Sequence, residues 1–178
     1  MQINRKLLLL LFLVFSKPTF SQELTTKKIS EQYPTTTTWD FICENYALTG
    51  ITKIQIAKTD KGGTLKLTVQ TTNPSFKIVG TLYVYLSDNS IIVCTDKGIQ
   101  KNIDDQIISY YTFSAIEMNK LKKSDIQSLR FNIAGNPKKF SSQIGNFSAF
   151  NKKTTFKTDN NTNTVMYNTA KEIIALYN

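Results

Sequence analysis

The chain has 178 residues, with 22 lysines and arginines against 13 aspartates and glutamates, a formal net charge of +9 and no histidine. Without an imidazole it has no Ser-His-Asp or Cys-His catalytic arrangement, no histidine-containing zinc site and no histidine general base.

Residues 4 to 22 read NRKLLLLLFLVFSKPTFSQ. Arg5 and Lys6 form a positive head, Leu7 to Phe15 an apolar run, and Thr19 and Ser21 supply the small residues of a cleavage site before Gln22. A span needs about 20 apolar residues, whereas Lys17 and Pro18 follow this run closely, so residues 1–21 are expected to be a signal peptide. The first cysteine is Cys43, too late for a lipid anchor. Cleavage removes three of the 22 cationic residues (Arg5, Lys6, Lys17) and no acid, leaving 19 against 13, a net +6 in which Arg130 is the one arginine. The expected product is periplasmic or secreted, without a transmembrane span, and of one domain's length.

QELTTKKISEQYPTTTT, within residues 22–38, is threonine-rich and lacks an apolar period, so it reads as a flexible tether before a single globular domain over 39–178. In WDFICENYALTG, Trp39, Ile42, Cys43 and Tyr46 fit a short helix ended by Gly50, while Trp39, Phe41 and Cys43 fit one face of a strand. Both readings stand for 39–47, with Trp39 expected in the core. ITKIQIAKTDKGGTLKLTVQ alternates with period two and predicts a hairpin that buries Ile54, Ile56, Leu65, Leu67 and Val69. Its turn, Thr59 to Gly63, is expected to place Gly62 and Gly63 at positive φ. The DKGG within it lacks the rest of a phosphate-binding loop. Asn73-Pro74 breaks the chain before the next strand.

TLYVYLSDNSIIVC predicts a second hairpin. A two-residue Asp88-Asn89 turn would set Leu86 opposite Ile91, Tyr85 opposite Ile92, Val84 opposite Val93 and Tyr83 opposite Cys94. Neither face is then polar, so both need a cover. QIISYYTF is a further strand, and Ser114 with Glu117 forms a capping box that opens a short helix through Leu121, near 115–122. DIQSLRFNI returns to period two with Leu129, Phe131 and Ile133 inward and Ser128, Arg130 and Asn132 outward. Met166, Ala170, Ile173, Ile174 and Tyr177 predict an amphipathic terminal helix capped by Asn163 or Thr164 and docked on the sheet.

These elements add up to the α+β class: an antiparallel meander of about six to seven strands with two helices. The alternative is a small barrel or two-sheet sandwich capped by the C-terminal helix, a pleckstrin-homology-like arrangement. The Ser-Gln end of the leader, YVYLSDNSIIV and YYTFSAIEMNKLKKSDIQSLRF together resemble small exported proteins of unknown function from Gram-negative bacteria, over residues 51 to 135. The resemblance implies export and brings no catalytic or binding residues.

Cys43 and Cys94, an even count in an oxidising compartment, favour a disulfide. The alternative is two buried small hydrophobes. Among the acids, Asp104-Asp105 stands out beside Asp88, Asp96 and Glu117, but adjacent strand residues point apart and a D-x-D-x-D-G spacing is lacking. No catalytic set, cofactor site or metal ligand set is expected. Residues 126 to 158 hold Arg130, Lys138, Lys139, Lys152, Lys153 and Lys157 without an acid, interleaved with Phe140, Phe147, Phe150 and Phe156. This predicts a basic face for an anionic glycolipid, an acidic polysaccharide or an acidic envelope protein, weighed against a plain solvated edge. Lysine without arginine forks argues against nucleic acid. The expectation is a non-enzymatic exported binding module, with a structural or accessory domain as the alternative and a carboxylate-dependent hydrolase third.

Overall fold

The computed structural model describes residues 33–44, 50–96, 99–136, 141–155 and 163–178; residues 1–21, expected to be a signal peptide, lie outside them. Among the described residues eleven strands and two helices follow in order: β1 (Trp39–Glu44), β2 (Ile51–Thr59), β3 (Gly62–Gln70), β4 (Lys77–Leu86), β5 (Ile91–Cys94), β6 (Gln100–Ile103), β7 (Gln106–Ser114), α1 (Ala115–Leu121), β8 (Ile126–Ala134), β9 (Gly145–Phe150), β10 (Lys153–Thr155), β11 (Asn163–Val165) and α2 (Thr169–Ala175). Nine strands form one antiparallel sheet in the order β5-β4-β8-β9-β1-β2-β3-β7-β6, and β10 pairs only with β11. The sheet is thus larger than the expected six or seven strands. Between 39 and 44 the strand reading holds, with Trp39, Phe41 and Cys43 buried on one face; Tyr46 lies outside the described residues.

The nine-stranded sheet curls around its buried face without closing as a barrel. β6 and β7 come back toward β4, and side chains rather than a ladder bridge the gap. Gln100 Nε2 donates to the Ile78 carbonyl at 2.6 Å, and Asn102 Nδ2 donates to the carbonyls of Pro74 and of Phe76, the latter at 2.9 Å. The Gly80 amide donates to Asp96 Oδ2 at 3.1 Å, and the Tyr111 hydroxyl to the Gly80 carbonyl at 3.5 Å. Pro74, Phe76, Ile78 and Gly80 lie at alternate positions, the period with which a strand presents main-chain groups to one edge. Each exposed carbonyl therefore has a side-chain donor, which blunts the edge. The interior is filled: Trp39, Phe41, Ile54, Leu65, Tyr111 and Phe131 are all at most 1% exposed.

Both helices dock at one end of the sheet. Ser114 caps α1 reciprocally with Glu117, as expected, and α1 buries Met118 and Leu121. Gly62 and Gly63 are already part of β3, and the turn is Asp60-Lys61. Only Gly62 has a positive φ, +149°. What both glycines supply is space, since a Cβ on Gly62 would stand 2.1 Å from the Phe113 carbonyl oxygen and one on Gly63 2.3 Å from Met118 Sδ.

The cap of α2 is Asn168 rather than Asn163 or Thr164, because 163–165 pair as a strand. The apolar face is correspondingly narrower than expected: Ile173 is fully buried, while Met166 is 51% and Ile174 44% exposed. Polar contacts do much of the docking. Glu172 accepts from Trp39 Nε1 at 2.9 Å, Thr37 Oγ1 at 2.6 Å and Thr37 N at 3.2 Å. The Tyr177 ring lies under the ammonium groups of Lys122, at 4.1 Å, and Lys58, at 4.5 Å. The stretch expected to be a tether through residue 38 is held from Pro34 onward, with Thr35 bridged to Ala57 and Thr36 buried.

Candidate functional site

The second hairpin does not have the two-residue turn. Its loop is Ser87-Asp88-Asn89, the Leu86 amide bonds the Ser90 carbonyl at 2.9 Å, and Asn89 takes φ +65°. This is a three-residue connection with a left-handed last residue. It shifts the pairing by one: Tyr85 faces Ile91, Val84 faces Ile92, Tyr83 faces Val93 and Leu82 faces Cys94. A one-residue slip moves every side chain of one strand to the opposite face. Ile92 and Cys94 therefore join the core, and Ile91 and Val93 join Tyr83 and Tyr85 outside. The outer face needs no cover, and it is left with Val93 54%, Ile91 46% and Tyr83 39% exposed.

The neighbouring strands extend this face into two rows. Val93, Tyr83, Arg130, Ser148 and Glu44 stand opposite one another across β5, β4, β8, β9 and β1. Ile91, Tyr85, Ser128, Phe150 and Ile42 form the row beside it. Register shifts between Val79 and Tyr83 and between Tyr85 and Leu86 bracket the two tyrosines. Such bulges re-aim side chains locally. Thr81, Tyr83, Tyr85, Arg130 and Asn146 share a shallow depression of about 330 Å³. Beside it, Asn132 Nδ2 donates to Asn146 Oδ1 at 3.3 Å, which leaves the Asn146 amide nitrogen as a donor and the Asn132 oxygen as an acceptor.

Arg130 is exposed, as the alternation of β8 predicts, and no carboxylate among the described residues lies within ion-pairing reach of it. Of the other cations expected on this basic face, Lys152 is the one whose side chain is described. Lys152 sits 3.6 Å from Glu44 Oε1 and 5.0 Å from the Phe150 ring centre, so its charge already has a partner. Past the end of β9 the chain turns, with the Lys152 amide bonding the Phe150 carbonyl at 2.8 Å, and the ammonium reaches back to Glu44, two strands from Arg130 in the same row. Lys153 opens β10. Lys138, Lys139 and Lys157, with Phe140 and Phe156, lie outside the described residues. Of the other phenylalanines, Phe147 is in the core and Phe150 half-buried on the outer face.

Other depressions offer less. One of about 300 Å³ on the outer face of β1 to β3 mixes Asp40 with Lys53 and Lys66. Another, about 230 Å³, lies at Asp104-Asp105, the turn between β6 and β7, where φ is +49° and +58°. Asp88 is held down to about 2 because the Ser90 hydroxyl and amide bond its carboxylate within its own turn. Among the described residues no three histidine, cysteine, aspartate or glutamate side chains are grouped to hold a metal ion.

The expected Cys43–Cys94 disulfide is not present: both cysteines are free and buried. β9, β8 and β4 separate β1 from β5, roughly 19 Å around the sheet, whereas a bridge requires Cα atoms within about 7 Å. Burial, reinforced by Glu44, pushes Cys43 from its ordinary 9.0 up to about 11. Burial, with Glu117 adding to it, pushes Cys94 up to about 12. Both thiols thus keep their protons in the folded chain at a pH where the unfolded chain loses them. The stability this contributes is complete below about pH 9 and declines as pH rises toward the folded values, by up to about 1.4 kcal/mol per pH unit for each thiol. In non-reducing denaturant both cysteines should label with iodoacetamide, and in the native protein neither. The urea midpoint should fall between pH 8 and pH 10.5, and by less in the Cys43→Ala, Cys94→Ala variant; a cross-linked species would overturn the assignment.

Comparison with protein-family models, with curated proteins and with solved structures finds no match to this chain.

Proposed function

We propose that the chain is an exported, non-enzymatic binding module that holds an anionic partner on the outer face of β4, β8 and β9. Arg130 carries the reading. It is the one arginine beyond the expected leader, it stands exposed with no acid among the described residues at ion-pairing distance, and it has Tyr83 directly opposite. An unpaired guanidinium is a rigid fork of donors suited to a carboxylate or phosphate, and tyrosine adds rigid contact area with a polar tip.

The test is retention on immobilised acidic polysaccharide and on vesicles of phosphorylated glycolipid, across a salt series. Arg130→Gln, which removes one charge, should lose more retention than Lys138→Gln, Lys139→Gln, Lys152→Gln, Lys153→Gln, which removes four. Wild-type binding should weaken as salt rises, because exposed charges are screened over about 8 Å at physiological salt. Equal retention of wild type and Arg130→Gln at every salt concentration would overturn the reading.

The edge strand β5 favours a second reading, an accessory domain recruited through its sheet edge. β5 carries no charge or proline and exposes Ile91 and Val93, so it lacks the usual protection of an edge. Val93→Lys would abolish such recruitment, whereas under the anion-binding reading the added cation beside Tyr83 would raise retention on anions.

A further inference from the structure

The face around Arg130 also bears on the class of ligand, an inference that rests on the binding reading above. Tyr83, Arg130 and Ser148 lie on β4, β8 and β9, each of which has a strand on either side at these positions. Their main-chain groups are occupied by the ladders, so an extended peptide has no strand edge to pair with here, and main-chain pairing is what gives such peptides their affinity. Only side chains are offered.

Those side chains are two tyrosines two residues apart on one face, one guanidinium, the hydroxyls of Thr81, Ser128 and Ser148, and an asparagine pair presenting one free donor and one free acceptor. An aromatic ring beside paired amide and hydroxyl groups matches a ligand with an apolar ring face and hydroxyls that both donate and accept. Sugars have that chemistry. The charge selects among them: among the described side chains of its segment Arg130 is the one unpaired cation, because Lys152 is paired with Glu44. One fork fits a singly charged planar carboxylate bidentately, whereas a phosphate monoester carries about −1.5 to −2 at neutral pH and would leave charge uncompensated.

We infer that this face is a saccharide-binding site for carboxylate-bearing sugars, in which Arg130 takes the carboxylate, Tyr83 or Tyr85 the ring face, and Asn132 and Asn146 the hydroxyls. The sugar lies across the strands, along the row from Tyr83 to Ser148.

The experiment is calorimetric titration of the full exported chain with four probes: oligogalacturonate, its carboxyl-reduced counterpart, a sugar phosphate and polyglutamate. Oligogalacturonate should bind most tightly, and Arg130→Gln should weaken it at least tenfold. The carboxyl-reduced oligomer should bind weakly and to the same degree in wild type and Arg130→Gln, while Tyr83→Ala should weaken both sugars. All the substituted side chains are exposed, so circular dichroism and urea midpoints should match wild type. Polyglutamate binding as tightly as oligogalacturonate would overturn the inference in favour of an acidic peptide, and tighter binding of the sugar phosphate would overturn it in favour of phosphate. If retention on anionic matrices depends on Arg130 yet oligogalacturonate does not bind, this inference fails and the broader anion-binding reading survives; if neither depends on Arg130, both fail.

Discussion

Gly62→Ala should cost about 4 kcal/mol, near the upper limit of what single substitutions do. Two penalties coincide at this position. A Cβ would stand 2.1 Å from the Phe113 carbonyl oxygen and 2.8 Å from the Ser114 carbonyl carbon, both main-chain atoms that cannot rotate away, and φ is +149°. The displaced atoms belong to the strand end that leads into α1, so the loss extends to the docking of Met118 and Leu121. Gly145→Ala is the matched control, with φ +130° and nothing within 4 Å of its Cβ; it should lose only the conformational part, about 1–2 kcal/mol. Urea unfolding of the two variants separates the terms. Midpoints shifted equally would show that the close approach of β3 to β7 contributes nothing.

Asn151→Ala should cost about 3 kcal/mol and loosen the C-terminal helix before the rest of the sheet. The Asn151 side chain is 1% exposed, and its Nδ2 donates to the carbonyls of Ile126, at 2.8 Å, and Tyr167, at 2.9 Å, while Oδ1 accepts from the Tyr167 amide at 2.8 Å. Truncation leaves two carbonyls and one amide unsatisfied, at about 1–3 kcal/mol each where water cannot replace the bond. Asn151→Asp keeps the shape but turns both donors into acceptors facing carbonyls, so it should be at least as damaging at neutral pH. Trp39, the single tryptophan, reports the event because its indole donates to Glu172 of α2. Its emission should shift to the red at lower urea than the loss of strand circular dichroism. A single coincident transition with wild-type midpoint would refute the local role of Asn151.

The hairpin of β2 and β3, the strand β8 and the capped helix α1 are legible in the sequence because each is specified by side-chain chemistry: strict alternation in the strands and a Ser-x-x-Glu box at the helix. The register of the β4–β5 hairpin is not, since it depends on one backbone angle at Asn89 that no apolar pattern reports. That difference hides the candidate site, because the expected pairing puts Tyr83 opposite Cys94 rather than beside Val93. Asparagine, which tolerates the left-handed region, was the available sign. β9 is hard to see for another reason. GNFSAF buries only Phe147 and Ala149, and its serine and asparagine read as loop. The exposure of Arg130 follows from alternation alone, but the pairing of Lys152 with Glu44 does not, because it joins segments far apart in the chain.

The placement of β9 between β8 and β1 carries a consequence for how the chain reaches its fold. Ile42 pairs with Phe150, 150 − 42 = 108 residues later, so one flank of β1 has no neighbour until that stretch of chain has been made. Non-local pairing of this kind must meet its loop-closure cost before contacts reward it, which places such topologies among the slow folders, in milliseconds to seconds. The early hairpins can form by themselves, yet until β9 arrives β1 remains a sheet edge beside Phe41 and Cys43, and folding completes as a late, concerted event rather than in step with synthesis.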